Sequence, residues 1–115
     1  MVRVEINNAI RAACWALDLN DDDVLDATLG VDSDDVRCAH MLIGGILEGR
    51  VNMSKTRLGN IMKQMMRNTP PGYVIDWITR HRRQMKFSAD YAIDFANALG
   101  AYDALAGAIK EHANE

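Results

Sequence analysis

Apolar residues recur at helical spacing along nearly the whole chain. Between Glu5 and Leu19, the residues Ile6, Ile10, Ala13, Cys14 and Leu17 fall at i, i+4, i+7, i+8 and i+11, a single stripe on a 3.6-residue period. Val36, Ala39, His40, Ile43 and Leu47 form a second stripe. With Asp32 or Ser33 as N-cap it predicts a helix to about Glu48, the best candidate for the central core helix. Between these two, "NDDDVLDATLG" reads as a short helix with its carboxylates at the N-terminal end, where the helix dipole favours anions, and Gly30 as the stop.

The second half continues the pattern. Ser54 can cap "SKTRLGNIMKQMMR", whose stripe is Leu58, Ile61, Met62 and Met65. Thr69 is a good N-cap, Pro70 suits a first helical position because its missing N–H would have no partner there, and Pro71 is tolerated in the first turn. "NTPPG" therefore starts a helix. It is expected to run to about Lys86, burying Val74, Ile78, His81 or Met85 and part of Trp77. Ser88 caps a last segment with Tyr91, Phe95, Leu99 and Tyr102 as its apolar positions, which Gly100 is expected to break or bend. No run of β-branched alternation competes with these segments. The expected fold is all-α: a single domain, a compact bundle of about six helices containing a helix-turn-helix over about residues 54–86.

Composition narrows the function classes. A chain of 115 residues, 49% apolar and 25% charged, can bury a core without disulfides or metal. The longest uncharged run, Cys38 to Leu47, is about half of what a membrane span needs. The N-terminal stretch has no signal-peptide pattern, so the expected setting is cytoplasmic, with no membrane partner. Cys14 and Cys38 sit in helical runs and read as small buried apolar residues rather than a disulfide. The three histidines have no metal-binding spacing. The Asp-rich segment lacks the later ligands and closing Glu of a calcium loop, so no metal or cofactor is expected. His40 reads as a satisfied core or boundary residue. No paired carboxylates, nucleophile with base or phosphate loop stands at a meaningful spacing, so the chain is not expected to be an enzyme.

Charge changes the picture most. The formal total is −3, yet nine basic side chains (Arg50, Lys55, Arg57, Lys63, Arg67, Arg80, Arg82, Arg83 and Lys86) and one acid, Asp76, lie between Arg50 and Lys86. Internal pairing of these helices with the acidic second, third and sixth is one explanation. Surface ion pairs contribute a median of about 0 to 1 kcal/mol each, a weak reason to segregate charge so thoroughly. An anion-binding surface is the stronger explanation, because Lys and Arg supply much of nucleic-acid affinity by neutralising phosphates. The helix pair around "RNTPPGY" has the form of a helix-turn-helix with its second helix as reader. Thr69, Gly72, Tyr73 and Asp76 then stand at the reading end, with Asn68 just before them; Lys55, Arg57, Arg80, Arg82 and Arg83 are placed to reach flanking phosphates, and Arg50, Lys63, Arg67 and Lys86 complete the candidate DNA-binding cations. The alternative is a protein-interaction module whose basic helix docks on an acidic partner, since Tyr73, Trp77 and the arginines are interface-prone types.

The succession "DVRCAHMLIGGIL", "NMSKTRLGNIM" and "YVIDWITRHRRQ" resembles the C-terminal DNA-binding domain of the bacterial replication initiator DnaA, related in shape to the Trp repressor. Arg37 and Ala39 match the family's Arg-Gln-x-Ala-type helix. Ser54, Leu58 and Gly59 approximate its Ser-Leu-Pro-Glu-Ile-Gly-like helix, and Val74, Ile75 and Ile78 follow the apolar pattern of its recognition helix. The likeness spans about residues 5–100. It implies a double-stranded DNA partner and a regulator of transcription or replication, of the kind a phage or mobile element carries. A homodimer through the long last segment, or a regulatory protein partner, would be in keeping with it. The family's base-reading Asp-His-Thr-Thr signature is replaced by Pro70, Pro71, Gly72 and Tyr73, and its basic loop by the acidic "TLGVDSDD". Its origin-box contacts therefore do not carry over, and no ATPase module is expected, since no G-x-x-x-x-G-K-S/T loop occurs.

Overall fold

Ten of the 17 residues from Asp34 to Arg50 are buried, including the unbroken run Met41 to Leu47. A helix buried all round must be covered all round, and the rest of the chain is arranged to do that. The fold, a computed structural model, describes residues 2–26, 33–68 and 72–113, with side chains described through residue 107. Its helices are α1 (Val2–Leu17), α2 (Asp21–Val24), α3 (Asp34–Arg50), α4 (Lys55–Met65), α5 (Gly72–Phe87) and α6 (Ala89–Ala113). Helices α1, α2, α5 and α6 pack against α3, α1 also lies along α6, and α4 packs chiefly on α5. Among the described residues there is no strand, only an isolated bridge between Asp26 and Arg67. No described helix is long and apolar enough to cross a membrane.

The helix starts follow local chemistry. The Ser33 hydroxyl accepts from the Val36 N–H and that of Ser54 from the Arg57 N–H, each at 3.3 Å, and that of Ser88 from the Tyr91 N–H at 3.2 Å. Asn20 and Asp23 form a capping box at the start of α2. The expected cap or stop residues Gly30, Asp32, Thr69, Pro70 and Pro71 lie outside the described residues. One expectation is corrected, and one alternative is decided. Helix α6 continues unbroken through Gly100, because one glycine costs only about 1 kcal/mol in a helix of 25 residues packed along α1 and α3. Met85 is 40% exposed, so His81 is the residue that closes the inner face of α5.

Two adjacent glycines let α5 approach α3. A Cβ built on Gly44 would lie 3.0 Å from the Trp77 Cβ, and one on Gly45 would lie 2.4 Å from the His81 ring. Trp77 fills the space by stacking on His40, with ring centroids 4.5 Å apart and planes 10° apart. The His40 Nε2–H donates to the Val24 carbonyl at 3.0 Å, which ties α2 to the same layer. His81 shares a 2.7 Å hydrogen bond through Nδ1 with the Tyr91 hydroxyl and packs against Phe95 of α6. Burial pushes both imidazoles below the ordinary histidine pKa, more strongly than the Val24 carbonyl, in the case of His40, or Glu48, in the case of His81, pulls them up. The two cysteines are free thiols, and burial raises Cys14 to about 12 and Cys38 to about 11. In contrast to Trp77, Trp15 on α1 is 68% exposed. It borders a groove of about 320 Å³ shared with Arg11, Ala101 and Leu105.

The Gly45 contact gives a direct test. Gly45→Ala should destabilise the fold by about 1 to 3 kcal/mol in urea denaturation, because the His81 ring cannot retreat without losing Tyr91. Gly49→Ala, where an added Cβ meets nothing within 4 Å, should stabilise by up to about 1 kcal/mol. Equal stability of the two variants would contradict this packing.

The buried histidines set a pH dependence. Each has a folded pKa below its unfolded value of about 6.5, so below that pH the unfolded chain binds more protons than the fold. The histidines' contribution to stability is therefore complete above pH about 6.5 and falls as the pH drops from there towards the folded values. The urea midpoint should decrease between pH about 7.5 and about 5, and His81→Gln should flatten that decrease. A midpoint constant over the interval would show that neither histidine is held neutral by the fold.

Candidate nucleic-acid interface

The nine cations between Arg50 and Lys86 divide by their surroundings. Four are ion-paired within the fold. Arg50 binds Asp103 of α6 in a bidentate pair, Nε to Oδ1 and Nη2 to Oδ2, each at 2.9 Å. Arg82 of α5 makes a similar pair with Glu48 of α3, Nε to Oε1 at 3.0 Å and Nη2 to Oε2. Lys55, the first residue of α4, reaches the same Oε2 at 3.6 Å. Arg80 pairs with Asp76 one turn earlier at 3.1 Å. Internal pairing thus accounts for part of the charge block, with partners on α3, α5 and α6.

A second group is left to solvent. Arg57 and Lys63 on α4, and Arg83 and Lys86 on α5, are exposed and form no ion pair with any described residue. The Lys86 ammonium lies 5.9 Å from the Phe87 ring centroid, at the outer range of a cation–π contact. On α5, Asp76, Thr79, Arg83 and Lys86 are spaced i, i+3, i+7 and i+10. They form one outward ridge opposite buried Val74, Ile78 and His81. The Thr79 hydroxyl donates to the Ile75 carbonyl at 2.9 Å. Tyr73 and Ile75 flank the first turn, 38% and 44% exposed. Gly72 is exposed and open, with nothing within 4 Å of an added Cβ.

The residues that follow α4, Arg67 and Asn68, are held from outside. The Arg67 N–H donates to the Leu25 carbonyl at 2.7 Å. Asn68 adopts φ 57°, and its side-chain amide donates to both Asp26 carboxylate oxygens at 3.1 and 3.2 Å. The segment after α2 therefore anchors the end of α4. Asn68, expected as a DNA contact, has its side chain engaged within the protein, and Arg67 is exposed beside it. Thr69 lies outside the described residues. Trp77, expected to be partly buried, is 6% exposed and stacked on His40; it belongs to the core, which corrects its place among the interface-prone residues of the alternative reading.

Sequence reasoning missed Glu48. Counting charge by segment assigns it to the acidic block, yet it sits among the cations with a side chain only 26% exposed. Burial would raise its carboxyl pKa, but the Arg82 hydrogen bond and the Arg82 and Lys55 charges outweigh that and hold it below the ordinary range. No group of three potential metal ligands occurs among the described residues. The chain matches no family model, no curated protein and no solved structure.

Asn68 supplies the test of this local geometry. Asn68→Ala should lose about 1 to 2 kcal/mol of stability from the left-handed backbone alone, and Asn68→Gly should recover most of that. Wild-type stability of Asn68→Ala would contradict the anchored turn.

Proposed function

We propose that the chain binds double-stranded DNA through α4 and α5, used as a helix-turn-helix with α5 as the reader, and acts as a regulator of transcription or replication. The observation that carries this is the second group of cations. After internal pairing has taken Arg50, Lys55, Arg80 and Arg82, the exposed Arg57, Lys63, Arg83 and Lys86 still stand on the two helices without an ion pair to any described residue. The N-terminal turn of α5, with Tyr73, would enter the major groove, and Arg83 and Lys86 further along would meet flanking phosphates. The acidic remainder would face away from the polyanion. The resemblance to the DnaA C-terminal domain supports the same choice of reader helix, and a DNA partner goes with a cytoplasmic setting.

A second reading has its own support. The same exposed cations on α5 can dock on an acidic protein partner, with Tyr73, 38% exposed on that helix, as an interface-prone residue beside the first turn. Selection from a random duplex pool separates the two. Under the DNA reading one site is enriched, and Arg57→Ala, Lys63→Ala, Arg83→Ala or Lys86→Ala each lowers the slope of log affinity against log salt by up to about 0.9 on all sequences alike. Tyr73→Ala should instead change which site is preferred. A pool without enrichment, together with unchanged affinity for Arg83→Ala and Lys86→Ala, would refute DNA recognition.

A further inference from the structure

We propose that Glu48 is a built-in competitor for phosphate: in the free protein its carboxylate occupies Arg82 and Lys55, and it yields them to the nucleic-acid backbone on binding. This rests on the DNA-binding reading above and specifies how that surface is regulated from within.

Three observations support it. First, Glu48 lies in the last turn of α3, where the helix dipole disfavours a carboxylate, so helix preference does not account for it. Second, it is the one carboxylate among the described ion pairs that contacts two cations, and these come from two other helices, α4 and α5. Third, the cations are more open than the acid. The Arg82 and Lys55 side chains are 61% and 42% exposed against 26% for Glu48, so more of each cation than of the acid is open to an incoming oxyanion.

The exchange is chemically like for like. Arg82 offers its Nε–H and an Nη2–H to the two Glu48 oxygens, the same fork that a phosphate accepts with two of its own oxygens. A phosphate placed before Arg82 replaces both hydrogen bonds and leaves Glu48 with one negative charge beside a polyanion. That residual repulsion is the cost Glu48 places on binding. It weakens contacts that lack compensation elsewhere, such as sequences the reader helix does not fit.

The test uses fluorescence anisotropy of a labelled mixed-sequence duplex over a salt series, with the full chain and the variants Glu48→Gln and Glu48→Asp. Glu48→Gln keeps the side-chain volume and removes the charge. It should bind about fivefold more tightly at low salt, with a salt slope steeper by up to about 0.9, because the wild-type carboxylate, once released from Arg82, takes up a cation that offsets one of those the phosphates release. Glu48→Asp keeps the charge but withdraws it by one methylene, and should bind with intermediate affinity if contact with Arg82 is what competes. The helical circular dichroism and urea midpoint of each variant establish that it is folded.

If the wild type binds and Glu48→Gln binds equally or more weakly, Glu48 organises the cations instead of competing, and the inference fails while the DNA reading stands. If Glu48→Asp matches the wild type while Glu48→Gln binds more tightly, net charge alone is responsible and the inference fails in its specific form. If neither the wild type nor Glu48→Gln binds duplex at the lowest salt, both readings fall.

Discussion

The close approach of α5 to α3 at Gly44 and Gly45 is the constraint on which the other arrangements depend. Side chains at these positions would hold the helices apart. Without that approach Trp77 could not lie flat on His40, nor could His81 reach Tyr91. The layer joins four helices: α3 supplies the glycines and His40, α5 the indole and His81, α6 the tyrosine, and α2 the carbonyl that accepts from His40. Its polar atoms are satisfied, since no described buried side-chain nitrogen or oxygen lacks a hydrogen-bond partner. A core built this way locks the roll of α5 about its own axis. That roll decides which of its residues face outward.

The charge pattern gains meaning only on this frame. In sequence, the segment from Arg50 to Lys86 is an undivided block of positive charge. In the fold, Glu48 and Asp103 draw arginines from that block back onto α3 and α6, while the outward ridge of α5 keeps Arg83 and Lys86. Surface pairs of this kind contribute little to stability, so their main effect is to decide where unneutralised charge remains. The protein thus presents positive charge on part of α4 and α5 within an acidic whole.

Much of the architecture was legible beforehand because its determinants are local. Ser33, Ser54 and Ser88 mark helix starts through contacts three residues away, and the stripes containing Ile6, Val36 and Leu58 report their faces through periodicity alone. The failures share a different origin. Whether His81 or Met85 closes the inner face of α5, and whether Trp77 is buried wholly or in part, depends on how far α5 slides along α3, which periodicity does not encode. That Glu48 meets Arg82, 34 residues on, depends on the crossing of two helices. Gly100 was read by its intrinsic preference, which tertiary packing overrode. The candidate site was legible as a collection of cations; which of them are spoken for was not, because pairing between helices is decided by the fold.

The two tryptophans carry one more consequence. Trp77 lies sealed in the α3–α5 layer with an imidazole against its face, whereas Trp15 stands in solvent on α1. The molecule therefore holds two intrinsic optical probes in opposite environments. One senses the integrity of the glycine-mediated seam and the proton occupancy of His40. The other senses whatever comes to rest on the groove between α1 and α6. Light emitted by the same chain can thus separate an event inside the fold from one on its surface, without any label being added.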